Sequence, residues 1–207
     1  MAKSQLIKDI ATNSISIEEA LQRLLLITSE LDNSDISKWI LSELNGYKFD
    51  ETIPEYRKNI SHNLIYSGIN GRFQVTNQPL PIHCFSEKIR ERFGDITVKE
   101  SVEIIENIVE KGGNARLDLT SLAFDVYENT GIQCFEIYQQ YSKASFVRIL
   151  SNIKSKLILF LLNLEKQFGN LDNLDIEKST LTLDKKEAVS SNFSDFFYDG
   201  KVANNGC

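Results

Sequence analysis

The residues between positions 50 and 58 are the first place where this chain could carry chemistry. Asp50, Glu51, Glu55, Arg57 and Lys58 are the types with which a metal-dependent nuclease organises a divalent ion and a scissile phosphate. In that chemistry carboxylates hold the metal and a cation offsets developing charge. A nuclease core separates its first acid from a Glu-x-Lys element by a β-turn or more and sets both on paired strands. Here the acids crowd a loop that contains Pro54, so a solvated loop with local ion pairs competes with the nuclease reading.

Other candidate sites are weaker. His83-Cys84 supplies two metal-ligand types, but adjacent residues on an extended segment point to opposite faces. Cys134 with His62 could form a nucleophile and base. Cys134 lies in an apolar, aromatic stretch, however, where cysteine usually acts as a small hydrophobe. Gly112-Gly113-Asn114 follows a helical pattern instead of preceding one, which suits a helix cap and not a phosphate cradle. No residue set has metal-ligand spacing, and no motif calls for a cofactor.

Glu43, Asn45, Tyr47, Tyr56 and Arg57 gather polar and aromatic groups around one helix end and the loop after it. They form the candidate recognition surface. Asn45 can instead tie the turn, and Arg57 can pair with Glu43 or Glu55. Trp39, the one tryptophan, is spaced for the inner face of the same helix.

Composition narrows the classes. The 207 residues suit one medium domain with a tail, and a hydrophobic content of 42% with 25% charged residues is ordinary for a globular chain. A net charge of −6 provides no basic field for nucleic acid, which makes it an unfavoured partner but leaves room for a local patch. Cys84, Cys134 and Cys207 are an odd, widely spaced set, read as reduced thiols of a cytoplasmic protein. The N-terminus lacks a signal-peptide pattern, and the apolar run 157–162 is far below the roughly 20 residues of a membrane span.

The elements that must position these groups read as an α+β chain. Three short helices come first. Leu6, Ile7 and Ile10 mark one over 3–12; Ser16 with Glu19 forms a capping box for the second. Asn33 or Ser34 caps a third, with Ile36, Trp39, Ile40 and Leu44 inward and Gly46 at its end. Alternation over 60–66 predicts a strand, Gly68 and Asn70-Gly71 a turn, and Phe73 and Val75 a returning strand closed by Pro79 and Pro81. A short helix follows over 86–93. Thr97 and Glu100 form a capping box for an amphipathic helix ended by Gly112-Gly113. A short strand is expected at 116–119, while 120–129 fits helix or loop. Cys134, Glu136 and Tyr138 alternate with Phe135 and Ile137 as in a strand.

The longest element is a helix from Ser142 to about Phe168, so apolar that it must be buried on most sides or touch another subunit. Residues 171–207 carry seven Asp/Glu against four Lys/Arg. The division expected is a domain over 1–170 and an acidic tail over 171–207, partly disordered or docking through Phe193, Phe196, Phe197 and Tyr198.

Three motifs carry a family resemblance. Trp39 to Tyr47, a W-x3-E-L-N-G-Y run, is followed by Ile53-Pro54-Glu55-Tyr56-Arg57. Gly71-Arg72-Phe73 leads to Gln78-Pro79-Leu80-Pro81, and Ile153 to Lys166 closes with a basic-x-basic helix ending in Leu164-Glu165. In this order they resemble the AbiTii-type domain of abortive-infection, phage-resistance proteins over residues 1 to about 170. The closing helix has Lys154 and Lys156 where an arginine is expected, which matters only for a planar guanidinium contact. The resemblance implies antiviral defence by growth arrest or death of an infected bacterium, and it transfers no catalytic residue. Three functions stay open: a sensor or effector scaffold working by protein–protein contact, a toxic effector enzyme such as a metal-dependent nuclease, and a nucleotide-signal binding module. The first carries two expectations about partners: a homo-oligomer through the 143–168 helix or the aromatic tail, and a phage or host protein.

Overall fold

A computed structural model describes residues 3–94, 96–112 and 115–198. In chain order the elements are α1 (Gln5–Thr12), α2 (Ile17–Thr28), α3 (Ser34–Asn45), β1 (His62–Asn70) and β2 (Phe73–Pro79). After them come α4 (Glu87–Arg90), α5 (Val102–Lys111), β3 (Arg116–Asp118), α6 (Ala123–Thr130), β4 (Gln133–Tyr141), α7 (Lys143–Phe168) and α8 (Leu183–Tyr198). This is the α+β order expected: a helical N-terminal segment, a small antiparallel sheet and a long helix near the C-terminal end. Two compact units arise from it. The helical unit takes the chain up to Tyr56, residues 99–107 and the part from Arg148 onward; the sheet unit takes residues 57–98 and 108–147.

In the helical unit the caps follow local rules. Ser16 Oγ accepts the Glu19 N–H at 3.0 Å, and Asn33 Oδ1 accepts those of Asp35 and Ile36. α3 stops at Gly46, whose φ of +89° suits a residue without a Cβ; one added there would lie 3.0 Å from the Lys99 carbonyl. α7 buries one stripe, including Ile153, Leu157, Phe160 and Leu164 at 0% exposure, and leaves Leu159 half exposed. On α8, Val189, Phe193 and Phe197 are each 1% exposed. Phe197 lies 4.0 Å from Trp39 and Phe193 5.7 Å from Phe160, centroid to centroid. The described part of the acidic tail thus adds aromatic rings to the core of this unit.

A polar knot ties the same unit's ends. Glu165 accepts the Ser4 N–H at 2.6 Å, the Ser4 hydroxyl at 2.5 Å and the Lys3 ammonium at 3.0 Å. Burial works to raise its carboxyl pKa, but these donors outweigh it and the net shift is downward.

The sheet unit is an antiparallel sheet of order β2-β1-β4-β3. Asn70-Gly71 makes the expected turn, with Gly71 at φ +62°. Gly68, however, stands inside β1 rather than in the turn. A Cβ there would lie 2.0 Å from the Gln133 carbonyl, so the position admits only glycine against that neighbour. Beside it the β1–β4 register slips: Ser67 faces Glu136 and Gly68 faces Cys134, which leaves Phe135 as a bulge residue. Strict alternation would separate Cys134 from Ile137. The bulge instead turns Cys134 against the core that contains Leu64, Tyr66, Phe85, Phe93, Val126 and Ile137, and leaves Phe135 exposed.

Two further expectations change. The capping box at Thr97 is not used; α5 begins at Val102, with the Ser101 hydroxyl accepting the Ile104 N–H at 3.4 Å. The reason lies in the sheet unit, where the Val98 N–H donates to the Arg57 carbonyl at 2.9 Å. The Val98 carbonyl in turn accepts from Arg57 Nη1 at 3.2 Å, so this backbone is already committed. The segment 120–129, readable as helix or loop, forms a single 3-10 turn at Thr120–Leu122 and then α6. Of the glycine stop after α5, Gly112 has φ +66°, while Gly113 and Asn114 lie outside the described residues, as does Cys207.

Candidate functional site

Three of the residues singled out around the end of α3, Glu43, Tyr47 and Tyr56, join Trp39 in a polar network in the helical unit. Trp39 and Glu43 are four residues apart on α3 and so share its inner face. Tyr47 follows just beyond Gly46, where its N–H donates to the Lys99 carbonyl at 2.8 Å. Glu43 is 0% exposed, and a carboxylate so placed needs strong donors to offset its lost hydration. Glu43 Oε1 accepts from the Tyr47 and Tyr56 hydroxyls, each at 2.7 Å. Tyr56 in turn accepts the Trp39 indole N–H at 3.0 Å. The chain of donors runs from indole to phenol to carboxyl oxygen.

Of the five candidate residues, Glu43 and Arg57 are fully buried and Tyr47 is 6% exposed. Tyr56 is half-buried, and Asn45 is exposed with its amide donating to the Leu41 carbonyl at 2.9 Å. Glu43, Tyr47, Tyr56 and Asn45 belong to the helical unit; Arg57 begins the sheet unit, where it holds Val98 from both sides of the peptide. What reads in sequence as a polar surface is therefore mostly interior. Its residue types resemble a recognition patch because a buried carboxylate calls for the same donors that a ligand would.

Two residues outside the five join the corner. Lys156 places its ammonium 5.8 Å from the Tyr56 ring centroid, a cation–π contact, and donates to the Phe196 carbonyl. Burial, then the charges of Glu43, Asp35 and Glu51, push the Tyr198 hydroxyl well above the usual phenol range. Lys156 stands among the basic residues of the closing motif and Tyr198 in the aromatic tail cluster. Sequence marks both but gives no reason to bring either to α3.

The remaining candidate chemistry resolves into structure. Glu51 Oε2 accepts the Lys48 N–H at 2.9 Å and the Ser42 hydroxyl at 3.0 Å, which makes it the tie of a turn; Asp50 and Glu55 are exposed. His83 is exposed while Cys84 is buried. Among the described residues, no group of three or more His, Cys, Asp or Glu is gathered so as to hold a metal ion. The Cys134 thiol pKa is pushed up to about 11, by burial first and by neighbouring Cys84 second. That is the wrong direction for an activated nucleophile. Among the described residues no helix is long and apolar enough to cross a membrane.

These features define an α+β protein in which Tyr47 and Tyr56 meet the buried Glu43 carboxylate at the end of α3. The chain belongs to the AbiTii family: the family model matches residues 4–191, past the expected limit near 170 and into α8. Membership sets it in abortive infection, a form of phage defence. No curated protein and no solved structure matches it.

Proposed function

We propose that this chain serves phage defence by protein–protein contact, as a sensor of a phage or host protein or as a scaffold for an effector. One observation supports this most directly: the open edge of the sheet unit. β2 pairs with β1 on one side, and no described strand pairs with its other side. Six of its seven residues are exposed, Phe73 at 75%. An edge strand offers unpaired backbone groups, and an extended segment of a partner can add to it by main-chain hydrogen bonds. The exposed Phe135, at 55%, gives the same unit a further apolar contact. Homo-oligomerisation belongs to the same reading, with Leu159 on α7 as the exposed apolar residue to probe.

The test is a phage-challenge assay on cells carrying the parent or a Phe73→Lys/Thr76→Lys double variant. Both positions are exposed, and lysine on an edge discourages strand addition. The expected result is unchanged thermal stability with lost protection. Full protection from a normally folded variant would reject the edge as the working surface. Light scattering of the parent and a Leu159→Glu variant reads the oligomeric part; equal masses corresponding to one chain would reject it.

A further inference from the structure

α8 closes the helical unit with few anchors. Of its 16 residues, Val189, Phe193 and Phe197 are buried, and they recur four apart along one stripe. The stripe lies on Trp39 of α3 and Phe160 of α7. Phe193 stands 5.7 Å from each of those rings, and Phe197 stands 4.0 Å and 5.9 Å from them, centroid to centroid. Charged contacts hold the helix at both ends. Near its start Lys186 meets Asp32 at 3.6 Å. Near its finish the Phe196 carbonyl accepts from Lys156 of α7, a cation at a helix C-terminus. An apolar groove that takes an amphipathic helix by an i, i+4 stripe is also the means by which one protein captures a helix of another.

Two observations set α8 apart from the rest of this core. The family match stops at residue 191, so Trp39 and Phe160 lie within the matched chain while Phe193 and Phe197 lie beyond it. The segment between α7 and α8 also carries backbone strain. Leu174 has φ +54°, a left-handed conformation that its Cβ disfavours, in a turn closed by its N–H on the Leu171 carbonyl at 3.0 Å. Between that turn and α8 the one buried residue is Ile176. Detaching the chain beyond Leu171 relieves the strain and restores the conformational freedom of residues 175–198, against the loss of four buried apolar side chains. Segments with so few buried apolar contacts open at the low end of the local stability range.

We propose that the groove over Trp39 and Phe160 receives an amphipathic helix of a partner protein, and that α8 occupies it in cis until such a helix displaces it. This role rests on the reading of the chain as acting by protein–protein contact, and it is independent of the β2 edge. The side chains already seated define the partner helix. It carries a basic residue, a β-branched residue three positions later, and two aromatic rings at successive intervals of four, in the order of Lys186, Val189, Phe193 and Phe197.

The probe is a fluorescein-labelled peptide of residues 183–198, followed by anisotropy on the full chain. Binding should tighten wherever the cis helix is weakened, because apparent affinity scales with the open fraction. Phe197→Ala in the protein should bind the peptide about tenfold tighter than the parent does. Lys186→Glu, which sets a like charge against Asp32, should bind it about threefold tighter. A peptide carrying both Phe193→Ala and Phe197→Ala should not bind. Circular dichroism and Tm establish that each variant is folded; if Phe197→Ala is not, the surface change Lys186→Glu carries the test. No saturable binding by a folded variant would overturn the proposal, as would equal affinity for parent and variants or undiminished binding of the doubly substituted peptide. Dimers in light scattering that the peptide dissolves would assign the helix to a second copy and overturn a separate partner. Phe73→Lys/Thr76→Lys should bind the peptide as the parent does, so the groove and the edge fail independently.

Discussion

Replacing Glu43 by alanine should destabilise the helical unit by about 3 kcal/mol. Its carboxylate accepts two phenol hydroxyls at 2.7 Å in a fully buried setting, and hydrogen bonds to a charged group contribute roughly 1.5–3 kcal/mol each. The two share one oxygen and one of the phenols also serves Trp39, so the full sum overstates the loss. For a chain of this size each kcal/mol moves Tm by about 2–4 °C, which places the variant about 6–12 °C below the parent. Glu43→Gln keeps an acceptor but adds a buried N–H, and should cost about 1–2 kcal/mol; Tyr56→Phe should cost about 1 kcal/mol. The assay is urea unfolding followed by tryptophan emission. Trp39 is the one tryptophan in the chain, is 1% exposed and donates into the network it reports. A Glu43→Ala variant within about 0.5 kcal/mol of the parent would refute the reasoning, since that is the range of an uncoupled surface change. If such a variant also lost phage protection, Glu43 would act in recognition and not as a brace.

Other outcomes follow from the same structure. Glu165 has its carboxyl pKa lowered from 4.5, so its contribution is complete above about that pH and is lost as pH falls through the lowered folded value. Acid titration of stability should show that loss in the parent and not in Glu165→Gln. Phe197→Ala removes a ring packed 4.0 Å from Trp39 and should cost about 3–5 kcal/mol, with limited proteolysis cutting first between α7 and α8. Cys134, with its pKa pushed up to about 11, should have about one thiol in a thousand ionised at pH 8 and alkylate far more slowly than an unperturbed cysteine. Peptide mapping after iodoacetamide treatment measures this directly.

The helices, the hairpin and the family were legible from residue order because their signals are local. Ser16-x-x-Glu19, Asn33 and Gly46 act on backbone groups within one turn, and Asn70-Gly71 sets a tight turn without help from distant residues. The identity of the corner residues was also legible, since Trp39, Glu43, Tyr47 and Tyr56 stand within eighteen positions.

Contact across long separations decided the rest. Thr97 carries a valid capping signal, but Arg57 claims both polar groups of Val98 and postpones α5 to Val102. The bulge at Phe135 arises from pairing with β1 some seventy residues earlier, and it reverses which face Cys134 takes. Glu43 looks exposed by type, yet it is interior in a unit where Trp39 packs with Phe193 and Phe197 from the acidic tail and two phenols meet the carboxylate. Burial is a property of what the rest of the chain brings to a residue, so sequence named the groups while tertiary structure decided whether they face solvent or core.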